Sequence, residues 1–276
     1  MSEQEELRLL CRTLRQDILT MIHKAGSGHP GGSLSAVELL AVLYFTDIFH
    51  CFPPDTNHPD RDRFILSKGH AAPLLYSILA HKGFFPVQEL ISLRTFGSSL
   101  QGHPNMNKLP ALDCSSGSLG QGLSIANGLA YGLAYRHLSQ RVYCLLGDGE
   151  LQEGQIWEAA MFAAQQKLDH LCVIVDRNGM QLNDSVNHIK NLSPLADKWE
   201  SFGWHVMTVD GHDLQAVHDA YKKALQVTGK PTVILADTIK GKGISFMENK
   251  VKWHGTAPND DEYKAAMLEL TQGVQS

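Results

Sequence analysis

Two apolar runs that end abruptly at polar residues constrain the fold of this chain more than any other feature. Residues 142–146 and 171–175 are predicted to be buried strands, and the alanine-rich stretch 156–164 between them suits a crossover helix. A strand, a helix and a second strand in this order form a βαβ unit, whose strands lie parallel. The sequence therefore predicts an α/β fold built on a parallel sheet.

Polar side chains follow both of these predicted strands. Gly147, Asp148 and Gly149 come directly after the first strand, and Asn178 comes after the second. Ligands of open parallel sheets bind outside the carboxyl ends of the strands, and carboxylate and amide oxygens suit Mg²⁺. One interpretation is a metal ion that ties a diphosphate to the sheet. The alternative is that residues 147–149 form only a turn and that Asn178 is an ordinary cap.

Hydrophobic periodicity and turn residues define the remaining elements. Further strands are predicted at residues 63–67, 205–209 and 231–236, and helices at 4–24, 71–79, 214–225 and 260–270. A helix rich in small residues follows the stretch 115–122 and ends at Tyr135. Ser35 and Glu38 have the spacing of a capping box, which predicts that a helix begins there and runs through Phe45.

Four of the fourteen histidines stand at breaks that contain glycine, namely His29, His70, His103 and His254. Imidazole changes its charge near neutral pH, so it can bind phosphate or move protons. A lone histidine in a loop is more often simply solvated, and a cluster of histidines could instead bind a transition metal. No His-x-x-x-His or comparable ligand spacing supports that second alternative.

Glycine and lysine occur together at two further strand ends. Lys68 follows the predicted strand 63–67, and Lys240 follows the strand 231–236. This combination suits phosphate, although Lys68 and His70 could also form a plain turn. The glycine-rich turn around Gly117 and Leu119 begins a helix that is expected to pack in the core. The same turn could approach a cofactor ring.

Composition excludes several classes of protein. The chain has 276 residues, 43% of them apolar, and a net charge of −5, and no long basic run favours nucleic acid. The five cysteines are scattered without a Cys-x-x-Cys pair, which is typical of a reducing compartment, so we expect a cytoplasmic protein. The amino terminus is acidic and lacks the apolar stretch of a signal peptide, and no apolar run reaches the length of a membrane span.

Taken together, these motifs resemble the transketolase family in identity and in order. Asn178 follows Asp148 by thirty residues, as in the thiamine-diphosphate motif of such enzymes, although Arg177 stands where asparagine is more usual. The matching segments extend over nearly the whole chain and are Ser27-Gly-His29-Pro-Gly, Leu66-Ser-Lys68-Gly-His70-Ala-Ala-Pro, Gly102-His103-Pro, Gly117-Ser-Leu119-Gly-Gln-Gly, Gly147-Asp148-Gly149-Glu-Leu-Gln-Glu153-Gly and Lys240-Gly-Lys-Gly. They match the amino-terminal, diphosphate-binding domain of the family.

The resemblance implies a doubly wound, mostly parallel sheet with helices on both faces. It also implies thiamine diphosphate with Mg²⁺, or with Ca²⁺ or Mn²⁺, where Asp148, Asn178 and the carbonyl of Met180 bind the metal. The histidines would line the reaction centre, contact the diphosphate or the sugar oxygens, and assist proton transfer. By the same resemblance Glu153 lies at a subunit interface. The residues expected to bind the cofactor are Lys68, His70, Gly117, Leu119, Gly147, Asp148, Gly149, Asn178, Lys240 and His254.

One departure from the family is large, because nothing after residue 254 resembles its pyrimidine-binding or carboxyl-terminal domain. We therefore expect residues 1–276 to form a single domain that is inactive alone. In the family the pyrimidine domain supplies the glutamate that protonates the cofactor's aminopyrimidine ring and much of the sugar-phosphate site. The resemblance thus implies one subunit of a split transketolase, in a heterotetramer with a pyrimidine-domain chain, or a homodimer when isolated.

Other functions remain open at this point. Within the same cofactor class, the alternatives are a split enzyme similar to 1-deoxyxylulose-5-phosphate synthase or to phosphoketolase, and a split enzyme that acts on an unusual sugar. A non-catalytic module that only binds the cofactor is an alternative from a different class. Such a module would need Asp148 and Asn178 but not the four histidines, so the histidines favour an enzyme.

Overall fold

Five parallel strands form the central sheet of the computed structural model, which describes residues 2–272. The strands are β1 (Arg63–Leu66), β2 (Val142–Gly147), β3 (Leu171–Arg177), β4 (His205–Asp210) and β5 (Thr232–Asp237). Their order across the sheet is β1-β2-β3-β5-β4, and each of the four pairings is parallel. The predicted strands are confirmed, with β3 extending two residues beyond its predicted end.

Helices connect these strands and cover the sheet. They are α1 (Glu3–Ala25), α2 (Pro30–Leu34), α3 (Val37–Phe45), α4 (Ala72–His81), α5 (Gly122–Tyr135), α6 (Gly154–Gln165), α7 (Val186–Lys190), α8 (Leu195–Ser201), α9 (Leu214–Gln226) and α10 (Asp260–Gln272). Short 3₁₀ helices occur at Gly69–Ala71, Val87–Ser92, Gly149–Gln152 and Val251–His254. In the described part of the chain, no helix combines the length and the apolar character needed to cross a bilayer.

Alternate residues of each strand point to opposite faces of the sheet, and each face has its own apolar core. On β3, Leu171, Val173 and Val175 pack with α5, α6 and α8, whereas Cys172 and Ile174 pack with α1, α3, α4 and α9. Both faces are therefore covered by helices, which confirms the doubly wound fold. This burial on both sides explains why the strands are almost continuously apolar.

The first helix shows how local sequence sets an element's bounds. Ser2 caps α1 by accepting a hydrogen bond from the N–H of Glu5, and Gly26 ends it in the left-handed conformation with φ of 62°. Between them one face is buried at the spacing that the sequence predicts, through Leu7, Cys11, Leu14, Ile18 and Ile22. The helix predicted at residues 4–24 is confirmed.

The capping box predicted at the start of α3 is wrong. Ser35 instead donates a hydrogen bond of 2.6 Å to Asp176 in the sheet. Glu38 is buried and accepts hydrogen bonds of 2.7 and 2.9 Å from Arg15 and one of 3.0 Å from His212. A buried carboxylate is stabilised more by an adjacent guanidinium than by a backbone N–H, so the long-range partners take precedence over the local motif.

The order of the strands determines where polar residues gather. Strands β1, β2, β3 and β5 are neighbours and run in the same direction, so their carboxyl ends meet at one edge of the sheet. Lys68, Asp148, Asn178 and Lys240 each follow one of these four strands. Residues that are far apart in sequence are therefore brought together at a single edge.

Candidate active site

A cavity of about 330 Å³ lies at this edge of the sheet. Ten of the predicted site residues line it, namely Lys68, His70, Leu119, Gly147, Asp148, Gly149, Asn178, Met180, Lys240 and His254. His29, His103 and Gly117 lie beside the cavity, in contact with one another or with its histidines. The structure thus brings every predicted site residue into one region, while the role of each residue stays a prediction.

The candidate metal ligands lie around Asp148, which is buried between β2 and β3. Its two carboxylate oxygens accept hydrogen bonds from the backbone N–H groups of Gly149 and Gly179, at 2.8 and 2.6 Å. The side-chain oxygen of Asn178 accepts one from the N–H of Met180 at 3.1 Å. These bonds fix the orientation of the oxygens that the resemblance assigns to the metal.

The electrostatics of Asp148 suit a cation. Burial, followed by the negative charge of Asp176, raises the pKa of Asp148 from 3.8 to about 6. A divalent cation beside the carboxylate would reverse this shift by favouring its ionised form. Within residues 2–272, no group of three or more His, Cys, Asp or Glu side chains is arranged to bind a metal. The implied set has one carboxylate and two neutral oxygens, so it fits a hard cation that also takes phosphate oxygens.

Asp176 is a site residue that the sequence interpretation missed. It is fully buried at the end of β3, and its carboxylate accepts hydrogen bonds from the ammonium of Lys68 and the hydroxyl of Thr238. Lys68 also donates to the carbonyl oxygen of Gly32 at 2.8 Å. The ammonium predicted to bind the cofactor is therefore anchored beneath the cavity, and its pairing with Asp176 lowers the pKa of that carboxyl.

The four predicted histidines form one cluster beside the cavity. The ring centroid of His29 lies 5.3 Å from His70, 6.1 Å from His103 and 5.6 Å from His254. The rings of His70 and His254 are 5.3 Å apart. The Nδ1 atom of His29 is buried without a hydrogen-bond partner among the described residues. An unpaired buried nitrogen is costly, so this atom is suited to meet a polar group of a ligand.

Burial keeps these imidazoles uncharged near neutral pH. It lowers the pKa of His29 to about 4, helped by the charge of Arg94, and that of His254 to about 3, helped by Lys240. The pKa of His70 is lowered well below its usual value, and that of His103 is also lowered. A neutral imidazole can accept a proton and can donate a hydrogen bond at the same time.

Lys240 bridges the metal region and the histidines. Its ammonium donates to the carbonyl oxygen of Met180 at 3.2 Å and to Nδ1 of His254 at 2.8 Å. Burial, followed by the charge of Lys68, lowers the pKa of Lys240 to about 8. An anion in the cavity would offset both effects, so this arrangement fits a bound diphosphate.

Close approach of the backbone requires glycine at two places in this site. A Cβ atom at Gly31 would lie 2.8 Å from the carbonyl oxygen of Trp253 and 3.0 Å from Cγ of Lys240. Gly117 has φ of 144°, and a Cβ atom there would lie 3.1 Å from the ring of His103. These glycines therefore allow the loops that carry the histidines to pack against each other.

A second cavity, of about 440 Å³, lies between α1 and the start of α9 and contains none of the predicted site residues. The buried pair of Arg15 and Glu38 lines it together with His212. Nε2 of His212 accepts a hydrogen bond of 2.8 Å from the N–H of Ile239, so the ring proton lies on Nδ1. This network supports the loop that leads to Lys240.

The fold and the site define an α/β protein with a polar, glycine-rich ligand site at the carboxyl edge of a parallel sheet. Residues 7–273 match the family described as "Transketolase, thiamine diphosphate binding domain". The chain belongs to this family, which confirms the resemblance seen in the sequence.

Some relatives of this chain have about its own length, and others are more than twice as long. The 6-deoxy-6-sulfo-D-fructose transketolase subunit SqwG of Clostridium sp. (strain MSTE9) is 45% identical over 271 residues, covering 98% of each chain. An apulose-4-phosphate transketolase subunit of Phocaeicola vulgatus is 36% identical, covering 98% of this chain and 96% of that protein. Transketolase of Homo sapiens is 41% identical over 99% of this chain, which spans only 44% of that longer protein.

Solved structures show the same fold. The crystal structure of transketolase from Campylobacter jejuni superposes with a TM-score of 0.90 at 31% identity, covering 98% of this chain and 43% of that one. Transketolase from Leishmania mexicana gives a TM-score of 0.91 at 27% identity, covering 100% of this chain and 42% of that one. The chain thus corresponds to less than half of each of these enzymes.

Proposed function

We propose that this chain is the cofactor-binding subunit of a split transketolase. It binds thiamine diphosphate with Mg²⁺, or with Ca²⁺ or Mn²⁺, and with a second chain it transfers a two-carbon ketol unit between sugar phosphates. The observation that carries this proposal is the convergence of Asp148, Asn178 and the Met180 carbonyl with four histidines around one cavity. Relatives of equal length that are named as transketolase subunits support it.

The residues at the cavity fit the diphosphate of such a cofactor and the metal ion bound to it. Asp148, Asn178 and the carbonyl of Met180 would hold the metal, and Lys240 and His70 would face the diphosphate. The ammonium of Lys68, which is held in place by its ion pair with Asp176, would attract the negative charge of the diphosphate. The backbone of Gly147 and Gly149 and the turn at Gly117 and Leu119 complete the binding surface. When bound, thiamine diphosphate supplies an electron sink for the cleavage of carbon–carbon bonds.

The histidines orient the sugar and move protons. His103 is exposed at the rim, so it is accessible to the hydroxyl groups of a substrate. His29 and His254 lie deeper and are neutral near pH 7, which allows each to accept a proton from a sugar oxygen and to return it. A module that only binds the cofactor would not need these groups, so the cluster favours an enzyme over a binding module.

Exposed apolar side chains on α5 and α6 suit a partner subunit. Four exposed side chains of α5 and α6, Tyr131, Tyr135, Met161 and Phe162, form what we call the α5/α6 surface. Leu119 and Glu153, which both line the cavity, are also exposed. Contiguous exposed apolar side chains are typical of interaction sites. The whole chain, residues 1–276, forms a single domain that uses this surface to dock its partner.

The partner carries the pyrimidine-binding and carboxyl-terminal domains and covers the cofactor ring. We place two copies of each chain in a cytoplasmic heterotetramer, with active sites at the interfaces, and expect a homodimer when this chain is isolated. Activity therefore requires both chains. Enzymes similar to 1-deoxyxylulose-5-phosphate synthase or phosphoketolase would use the same cavity, and product analysis with the assembled complex distinguishes them from a transketolase.

Titration of thiamine diphosphate into the chain, with and without Mg²⁺, tests cofactor binding. Wild-type protein should show saturable binding that depends on Mg²⁺, and Asp148→Ala should lose it, because the diphosphate then lacks its bridging cation. Asp197→Ala, which removes an exposed carboxylate on α8, serves as the control and should bind normally. Equal affinity of wild type and Asp148→Ala would refute the metal assignment.

A further inference from the structure

Glu150 directly follows the metal motif and has no role in the site described above. It is buried, with 2% of its surface exposed, and its carboxylate accepts hydrogen bonds from three sides. One oxygen accepts from the hydroxyl of Ser67 and from the N–H of Gly120 at 2.9 Å. The other oxygen accepts from the N–H of Gly147 at 3.0 Å. Burial raises the pKa of Glu150, and these hydrogen bonds oppose that shift.

The three donors belong to three loops of the candidate site. Ser67 precedes Lys68 at the end of β1, Gly147 precedes Asp148 at the end of β2, and Gly120 follows Leu119 in the turn before α5. One carboxylate therefore joins the loops that carry the metal motif, the buried lysine and the turn predicted to face the cofactor ring.

This junction is too tightly packed to adjust freely. Gly120 has φ of 88°, and a Cβ atom there would lie 2.8 Å from Cβ of Glu153. A Cβ atom at Gly122 would lie 2.3 Å from the hydroxyl of Ser67, which also accepts a 3.2 Å hydrogen bond from the N–H of Gly122. A change at the carboxylate is therefore transmitted to the backbone of the turn that bears Leu119.

We propose that Glu150 is a positioning residue for the cofactor. Its carboxylate sets the spacing between Asp148, at the diphosphate end of the cavity, and Leu119, at the ring end. This inference rests on the proposed function, because only a ligand with both a diphosphate and a ring meets both ends together. Thiamine diphosphate would contact both ends, whereas inorganic pyrophosphate with Mg²⁺ would contact only the end at Asp148.

Glu150→Gln tests the proposal with almost no change of shape. All three neighbours donate to the carboxylate, and the hydroxyl of Ser67 is the one that can turn to accept from the new amide nitrogen. The amide oxygen then accepts from the N–H of Gly147. The amide nitrogen takes the place of the other oxygen, so the N–H of Gly120 faces a second donor and loses its acceptor. The turn that bears Leu119 should then shift to relieve this mismatch, and binding the cofactor ring would have to restore it. Because such a mismatch is worth about 1–3 kcal/mol, affinity for thiamine diphosphate should fall at least about tenfold. Affinity for pyrophosphate with Mg²⁺ should change little.

A matched control separates positioning from loss of stability. Asp62 is equally buried, and it accepts hydrogen bonds of 2.9 and 2.7 Å from the N–H groups of His50 and Arg141. It lies at the opposite, amino-terminal end of β1 and β2. Asp62→Asn should therefore lower stability as Glu150→Gln does, but leave the affinity for both ligands unchanged.

The experiment titrates thiamine diphosphate and pyrophosphate, each with Mg²⁺, into the full chain and both variants, with urea unfolding measured in parallel. Ser67→Ala, as a third variant, should show the same selective loss to a smaller extent. Selective loss for thiamine diphosphate in Glu150→Gln supports the proposal. Unchanged affinity, or equal loss for both ligands, overturns the proposal and leaves the proposed function intact. Failure of the wild type to bind thiamine diphosphate would overturn both.

Discussion

The side-chain nitrogen of Asn178 donates a hydrogen bond of 3.1 Å to the carboxylate of Asp176. This bond fixes the orientation of the amide and leaves its oxygen on the side of Met180, where the metal is proposed to bind. The same carboxylate pairs with the ammonium of Lys68. One fully buried group therefore orients a proposed metal ligand and holds a cation beneath the cavity.

We predict that Asp176→Asn destabilises the chain strongly. The substitution leaves the ammonium of Lys68 buried without a counter-charge, which typically costs about 3–5 kcal/mol. Urea unfolding measures the change in the free energy of unfolding. Asp237→Asn is the matched control, because it breaks the exposed ion pair with Arg177 and should cost less than about 1 kcal/mol. Similar effects of the two substitutions would contradict the role of the buried pair.

The stability of the metal-free chain should depend on pH through Asp148. Its pKa is about 6 in the folded chain, above the ordinary value of 3.8, so the folded state binds this proton more tightly than the unfolded state. The protonated carboxyl of Asp148 therefore adds to the free energy of unfolding at low pH. This addition is lost as the pH rises from about 4 through 6, by up to about 1.4 kcal/mol per pH unit. Asp148→Asn should remove this component of the pH profile, and identical profiles for the two proteins would disprove the shift.

We predict that substitutions in the histidine cluster lower turnover much more than they lower the affinity for the cofactor. In the assembled enzyme, His103→Ala and His254→Ala should each lower kcat by about 100- to 10,000-fold, the usual contribution of general acid–base groups. Affinity for thiamine diphosphate should change far less. His137→Asn is a control at an exposed position with φ of 56°, which asparagine tolerates. Unchanged turnover in both alanine variants would remove these histidines from the mechanism.

The α5/α6 surface predicts where the partner binds. Phe162→Glu places a charge where an apolar contact is proposed, beside Tyr131, whose ring centroid is 6.0 Å away. The affinity between the two chains should fall at least about tenfold, as expected at the centre of an interface. Leu268→Glu is the control, because it alters an apolar residue on α10 that is even more exposed than Phe162. Equal effects of the two substitutions, measured by calorimetry, would place the partner elsewhere.

Much of the fold was predictable because its signals are local. The buried strands β2 and β3 appear as apolar runs, and the bounds of α1 follow from its periodicity. The position of β4 outside β5 was not predictable, because strand order depends on how the connecting helices pack. The short helices α2, α7 and α8 were missed, since none is long enough to show a helical period.

The site was predictable only in part, for a related reason. Glycines beside His29, His70 and Lys240 mark strand ends or loop breaks, so their convergence on one edge follows from a parallel sheet. Asp176 and Glu150 were not recognised, because each acquires its partners only through folding. Lys68 is 108 residues from Asp176, and Ser67 is 83 residues from Glu150. The error at Glu38 has the same cause, because its partners come from other elements.

The most direct test of this account is an assay of ketol transfer with the purified chain, thiamine diphosphate, Mg²⁺ and pentose phosphates. The assay is run with and without the pyrimidine-domain chain. We predict cofactor binding but no ketol transfer by the single chain, and turnover once the second chain is added. Robust ketol transfer by the single chain would contradict the proposal that this protein is one half of a split enzyme.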